Sequence, residues 1–224
     1  MYRFFGGIIH LFFLTLTISS FGQDSGDRYR VMFYNVENLF DTLNNPEKND
    51  DDFTPEGSMK WDRIKYDQKL ADVYKVIIAA GQWDPPVVVG FAEVENISVL
   101  NDLVNNTPLK KFKYKAILEE ASDRRGIDVG MIYRSDIIKY ISHKSIKVFT
   151  NNSSRDILLF TGVIHEDTVH FFVNHWPSRL SGKEHTEYLR AKASKQLINS
   201  IDSIFLAFHD PKVVVMGDFN DTPE

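Results

Sequence analysis

Residues 213–216, VVVM, are four consecutive apolar residues that empty at Gly217 into Asp218-Phe219-Asn220-Asp221. A short apolar run bounded by a turn reads as a strand buried on both faces. The chain must therefore build a covered sheet around this segment, with two carboxylates and an amide at its open end. Hard oxygen ligands and an amide at one sheet edge suit a divalent cation and a phosphate oxygen.

The rest of the chain supplies what such a sheet needs. Residues 29–36, YRVMFYNV, read as a first strand rich in β-branched and aromatic residues. Residues 38–60 carry loop chemistry, including Asp50-Asp51-Asp52, which reads as a solvated loop because adjacent side chains diverge. An amphipathic helix is expected over 61–80, where Trp61, Ile64, Leu70, Val73, Tyr74, Ile77 and Ile78 recur mostly at three- and four-residue spacing and Gly81 is placed to stop it. Residues 87–91, VVVGF, form a second buried strand, followed by a short helix to Val104 capped by Ser98. Five strands are then expected at 112–118, 127–133, 137–149, 156–164 and 169–175, neighbours pairing antiparallel. A long helix over 183–208 presents Leu189, Ala193, Leu197, Ile201, Ile204, Phe205 and Phe208 on one face before the final strand. The fold class is α/β, with mixed sheets and helices covering their outer faces.

A length of 224 residues allows one sizeable core, and 43% apolar with 13% aromatic residues belong to a globular chain. The net charge of −5 argues against a protein that coats nucleic acid by charge alone. With no cysteine, thiolate catalysis and Cys-ligated zinc are excluded. One arginine, Arg3, precedes an uncharged, mostly apolar run from Phe4 to Phe21, and Ser20-Phe21-Gly22 places small residues before a cut at Gln23. That is the layout of a signal peptide over 1–22. The protein is expected to be exported, periplasmic or secreted, with a polar lead-in over 23–28, a main domain over 29–224 and no membrane span after cleavage. An uncleaved segment would instead be a membrane anchor.

Chemistry collects where apolar strands end. Asn35, Glu37 and Asn38 follow the first strand, and Glu93, Glu95 and Asn96 the second. Asn174-His175-Trp176-Pro177-Ser178-Arg179 and the Gly217–Asp221 loop follow two later ones. Any one of these is ordinary turn chemistry. Four of them, each just past an apolar strand, are the pattern of a site where several strand ends converge.

In this order, YNVENLFD, FAEVEN, RGIDVGMIYR, NHWPSR and MGDFND resemble the endonuclease/exonuclease/phosphatase family, from about Tyr29 to Glu224. The resemblance implies a four-layer α/β sandwich of two packed mixed sheets and metal-dependent hydrolysis of phosphoesters. It makes Glu93 the metal ligand, with Asn35 helping to place metal and phosphate. It makes His175 a catalytic group acting as a protonated imidazole, and Asp218 and Asn220 the pair that orients the attacking water. Arg125, Asp128, Asn174 and Arg179 are implied substrate contacts. The implied cofactor is Mg²⁺, with Mn²⁺ or Ca²⁺ as alternatives. The implied substrate is a phosphodiester, nucleic acid first, and no stable protein partner is implied.

Lys110, Lys111, Lys113 and Lys115, interleaved with Phe112 and Tyr114, would line a polyanion path or, alternating in a strand, solubilise an edge. A lipid or inositol phosphate substrate fits the same core. The resemblance also implies an Asp-His pair on a later strand, which these residues do not contain. The expectation is of an N-terminal portion, its second half incomplete and its own activity low; a non-catalytic binding module is the alternative.

Overall fold

Two sheets, rather than one, take up the strands. The computed structural model describes residues 28–82, 84–121, 123–148, 155–179 and 182–222. The expected signal peptide lies outside the described residues. Among the described residues, no helix is long and apolar enough to cross a membrane.

The first sheet has the order β1-β2-β4-β3, from β1 (Val31–Leu39), β2 (Val88–Val94), β3 (Tyr114–Leu118) and β4 (Asp128–Arg134). The second has the order β5-β6-β7-β8, from β5 (Ile138–Ile146), β6 (Ile157–Ile164), β7 (Asp167–His175) and β8 (Lys212–Asp218). β1–β2 and β7–β8 are parallel and every other pair is antiparallel, so both sheets are mixed. The expected block of five strands is thus divided. Its first two members complete one sheet and its last three begin the other.

α1 (Arg63–Gly81) and α2 (Ile97–Asn106) cover the outer face of the first sheet, and α3 (Lys183–Ala207) covers the second. Three apolar layers follow. Tyr66, Leu70, Val73 and Ile77 of α1 and Leu100 and Leu103 of α2 pack on Val89, Phe91 and Ile132. Val88, Met131, Phe160, Phe171 and Met216 fill the space between the sheets. Leu159 and Phe172 meet Ala193, Leu197 and Ile204 of α3. Each large apolar side chain buried this way contributes roughly 1.5–3 kcal/mol. The result is the expected four-layer sandwich.

Local departures have local causes. Asp62 caps α1 by accepting Lys65 N–H at 3.0 Å, and the helix closes on Gln82 in the left-handed region rather than on Gly81. Ile64, placed on the buried face by spacing, is exposed; Tyr66 is buried instead, its hydroxyl donating to Asp102 at 2.8 Å. α2 is capped by Asn96, which accepts Val99 N–H at 3.1 Å, two residues before Ser98. Phe205 of α3 is likewise exposed. Of the 50–52 aspartates, Asp51 and Asp52 are exposed, as expected of a solvated loop, and Asp52 accepts the Ser58 hydroxyl at 2.6 Å. Asp50 departs from that expectation, being buried and accepting Asn45 N–H.

Candidate active site

The ladder of the first sheet breaks at one level. β1 pairs with β2 as Asn35↔Ala92 and then Leu39↔Val94, and β2 pairs with β4 as Ala92↔Val129 and then Val94↔Asp128. Glu93 is the extra residue on β2, with φ +65°. Glu37 and Asn38, in the matching break of β1, also have positive φ. A bulge re-aims a side chain that regular pairing would direct elsewhere. With Asn220 (φ +50°), four of the nine described non-glycine residues with positive φ lie around one point. Such strain persists only where its surroundings hold it.

That point joins the two sheets. The Asn35 amide donates from Nδ2 to Glu93 Oε1 at 3.3 Å and to Asp218 Oδ2 at 3.1 Å. Its Oδ1 is turned away, accepting Glu37 N–H at 2.9 Å. His175 pairs in register with Asp218 across β7 and β8. Its Nε2 lies 3.7 Å from Glu93 Oε1 and 3.9 Å from Asp218 Oδ2. Asn35, Glu93, His175 and Asp218, from four strands, therefore form one cluster.

His175 is 5% exposed. Burial, followed by the positive charge of Arg155, pushes its pKa down to about 3. The imidazole is thus neutral near pH 7, which corrects the expectation of a protonated one. Its Nδ1 is buried without a hydrogen-bond partner among the described residues. An orphaned buried N–H is costlier than an unused lone pair, so the proton belongs on Nε2, facing the carboxylates.

The loop after β8 is held from several sides. Asp218 Oδ1 accepts Asn220 N–H at 3.0 Å, and Asn220 donates from Nδ2 to Trp176 O at 2.9 Å. A Cβ on Gly217 would lie 2.4 Å from Asn174 O, so only glycine lets β7 and β8 approach there. Asn174 is fully buried, donating to Met216 O at 3.1 Å and accepting Trp176 Nε1–H at 3.2 Å. It splints the two strand ends and presents nothing to a substrate. Arg179 donates from Nε to Asn220 O at 2.7 Å and from Nη2 to Asp221 at 3.0 Å. Ser178, Arg179 and the Gly217–Asp221 loop line an open depression beside the cluster.

Asp128 is buried in the first sheet, where its Oδ1 accepts Ala121 N–H at 3.0 Å. It fastens the 121–128 turn rather than facing a ligand. Burial pushes its carboxyl up to about 7. Glu95 is likewise buried, accepting Asp41 N–H at 2.7 Å. Arg125 is half-exposed and grips Asp123 through Nη2 at 2.7 Å and Nε at 3.2 Å.

Asp123 and Arg155 were not visible as site residues in the sequence. Arg155 is buried, its Nε 3.4 Å from Asp123 Oδ2 and its Nη1 3.4 Å from the carbonyls of His175 and Trp176. Burial lowers its pKa to about 10. Burial acts to raise the Asp123 carboxyl, but Arg125 and Arg155 together leave it below the ordinary range. Within NNSSRD, Arg155 looks like turn charge; its one signal is its place directly before an apolar strand.

The lysines lie elsewhere. Lys110 and Lys111 belong to a 3-10 segment, Pro108–Phe112, and Lys113 is left-handed, so the four do not share a strand. They flank Tyr114, which pairs with Arg134, whereas Glu93 lies at the Asp128 end of β4. The length of β4 separates the two, roughly 20 Å.

Mg²⁺ is typically held by one or two carboxylates, water and substrate phosphate rather than by a protein cage. Among the described residues, no three His, Asp or Glu side chains are grouped to hold an ion. Glu93 nevertheless fits the smaller role: it is partly buried, and Oε2 carries no hydrogen bond to a described residue. Asn35 offers that position an N–H rather than an oxygen.

The profile of the endonuclease/exonuclease/phosphatase family matches residues 30–224. No curated protein matches. Among solved structures, TDP2 from C. elegans superposes with a TM-score of 0.56 at 15% identity, covering 72% of this chain and 45% of that one. D. rerio TDP2 complexed with single-strand DNA product gives 0.53 at 18%, covering 86% and 60%. A mannosyl-6-phosphatase from Bacteroides thetaiotaomicron gives 0.51 at 16%, covering 85% and 64%. The chain thus spans less than two thirds of the length of each of these proteins. Its fold is theirs, and by the extent of the family match the chain belongs to the endonuclease/exonuclease/phosphatase family.

Proposed function

We propose that the protein is an exported, divalent-metal-dependent hydrolase of phosphodiester bonds, nuclease-like, with water attacking phosphorus in line. The observation that carries this reading is the single Asn35 amide shared by Glu93 and Asp218, with neutral His175 facing both carboxylates. Two carboxylates and a histidine converging from two sheets have no packing purpose.

Glu93 would hold the cation through its open Oε2. When bound, a divalent cation such as Mg²⁺ neutralises charge on the phosphoryl oxygens. Asp218 accepts a hydrogen bond from the attacking water with the lone pairs left beside its bonds to Asn220 and Asn35. Asn220, its Nδ2 committed to Trp176, would offer its Oδ1 to the same water. His175 donates from Nε2 to an oxygen on phosphorus, where charge develops in the transition state. Asn35 keeps Glu93 and Asp218 from repelling one another. Arg125 and Arg179 hold bidentate contacts within the protein, and each has remaining guanidinium edge for phosphate.

The DNA product in one structural neighbour supports nucleic acid as the substrate class. A phosphate ester on a small molecule, such as a lipid or inositol headgroup, is the second reading. It is favoured by the distance of Lys110, Lys111, Lys113 and Lys115 from the cluster, which keeps these four from forming a basic track to it. Export is supported by the pattern of residues 1–22.

The test is hydrolysis of DNA, RNA, sphingomyelin and inositol phosphates with Mg²⁺ or Mn²⁺ and with chelator, alongside direct Mn²⁺ binding. Turnover or binding undiminished in Glu93→Gln sinks the reading. For export, protein recovered outside the cytoplasm should begin at Gln23.

A further inference from the structure

Arg190, on the second turn of α3, exposes 2% of its side chain. A guanidinium at that depth is costly unless it is well paired. Its carboxylate partner comes from the loop after β8 rather than from the helix: Nε donates to Asp221 Oδ2 at 2.9 Å. We propose that Arg190 is a positioning residue, which acts through Asp221 to hold the 217–222 loop in the backbone arrangement that aims Asp218 and Asn220 at Asn35 and Glu93. The proposal rests on the reading of Asp218 and Asn220 as the groups that place water.

Asp221 stands between two arginines. Its Oδ1 accepts Arg179 Nη2–H at 3.0 Å and Thr222 N–H at 3.0 Å, while Oδ2 takes Arg190. The hydrogen bond from Arg190 is foremost in holding the Asp221 carboxyl below its ordinary pKa. Arg190 is itself braced. Its Nη1 donates to the Thr186 hydroxyl at 2.7 Å, and that hydroxyl donates to Gly182 O at 2.9 Å. The guanidinium therefore reaches the loop from a fixed base on the helix.

The loop needs an external hold. Asn220 keeps a left-handed backbone that asparagine tolerates without strongly preferring. Directly after it, Asp221 joins the loop to α3 on one side and, through Arg179, to the segment after β7 on the other. Without Arg190 the second anchor persists, so the loop should loosen locally rather than unfold the sheet.

The test uses the intact protein with Arg190→Met, Asp221→Asn, the double variant and Arg190→Lys. Amide hydrogen exchange over 217–222 is read first, since it needs no activity. Each single neutralising variant should speed loop exchange by about tenfold, leaving β2 and β6 unchanged. With substrate, kcat should fall about 100-fold, as for a small misplacement of reacting groups, with KM nearly unchanged. The double variant should be no worse than either single one, and Arg190→Lys should recover part of both effects. Unchanged loop exchange, additive singles, or faster exchange throughout α3 and the second sheet would overturn the clamp. If Arg190→Met fails to fold, Asp221→Asn, altered at a half-exposed carboxylate, carries both readouts. A full-length wild-type protein without turnover refutes the proposed function, and exchange alone then decides the clamp.

Discussion

Asn35 donates to Asp218 across 183 positions of sequence, at 3.1 Å, and in doing so ties the edge strand of one sheet to the edge strand of the other. The same amide group reaches Glu93 at 3.3 Å. Replacing it with alanine leaves two carboxylates facing each other without a shared donor. Asn35→Ala should lower kcat/KM by about 100-fold, the scale for one lost polar group in such a site. Asn35→Asp, adding a third carboxylate, should be worse. Steady-state kinetics on both variants checks the order.

Glu93 is the one side chain of the cluster with an oxygen left open and a partly buried setting. Glu93→Gln keeps the shape and removes the charge. Mn²⁺ affinity measured by calorimetry should fall at least about tenfold, as for loss of a primary ligand. His175→Asn, which removes no carboxylate, should leave Mn²⁺ affinity nearly unchanged while lowering kcat. Equal losses of binding in the two variants would place the ion elsewhere.

The Asp128 carboxyl, buried beneath the 121–128 turn, is pushed up to about 7 from 3.8. Between those values the folded state holds the proton and the unfolded state has released it. Stability from this group is therefore full at low pH and is lost as pH rises toward 7. Asp128→Asn should raise the melting temperature at pH 8 and lose that advantage near pH 4. The full shift corresponds to at most about 4 kcal/mol. Thermal unfolding of the two proteins across this range is the check, and a substrate contact would instead show as a raised KM.

Gly217 lies where a Cβ would meet Asn174 O at 2.4 Å. Gly217→Ala must separate the ends of β7 and β8, which carry His175 and Asp218. A cost of about 1–3 kcal/mol, the scale for overpacking, should lower the melting temperature. Activity should fall further than stability explains, because the displaced strands bear His175 and Asp218, the groups proposed to act on phosphate.

Among the described residues the sequence showed each strand and α-helix to within a few residues, because apolar runs and helical spacing report burial directly, but not the 3-10 turns Asp51–Phe53 and Pro108–Phe112. It also picked out Asn35, Glu93, His175 and Asp218, which end apolar strands. It did not show that Glu93 is a bulge residue, since a bulge belongs to the pairing of two strands and has no composition of its own. The resemblance offered Asn174 and Asp128 as substrate contacts, but polar residues at strand termini satisfy backbone groups as readily as they bind substrate. Arg190 was hidden by its helix. Its partner lies 31 positions away, and nothing in a helical repeat announces that one charged residue points inward.

β8 is the last described strand, and it joins β7 in parallel only after the chain has crossed over through the 25 residues of α3. A connection of that length is slow to close, and pairings distant in sequence form late in folding. The first sheet can therefore assemble, with Asn35 and Glu93 in place, while Asp218 is still undocked. Docking of β8 on β7 then brings Asp218 to Asn35 and His175 in a single late step of folding, after the other described strands can already have paired.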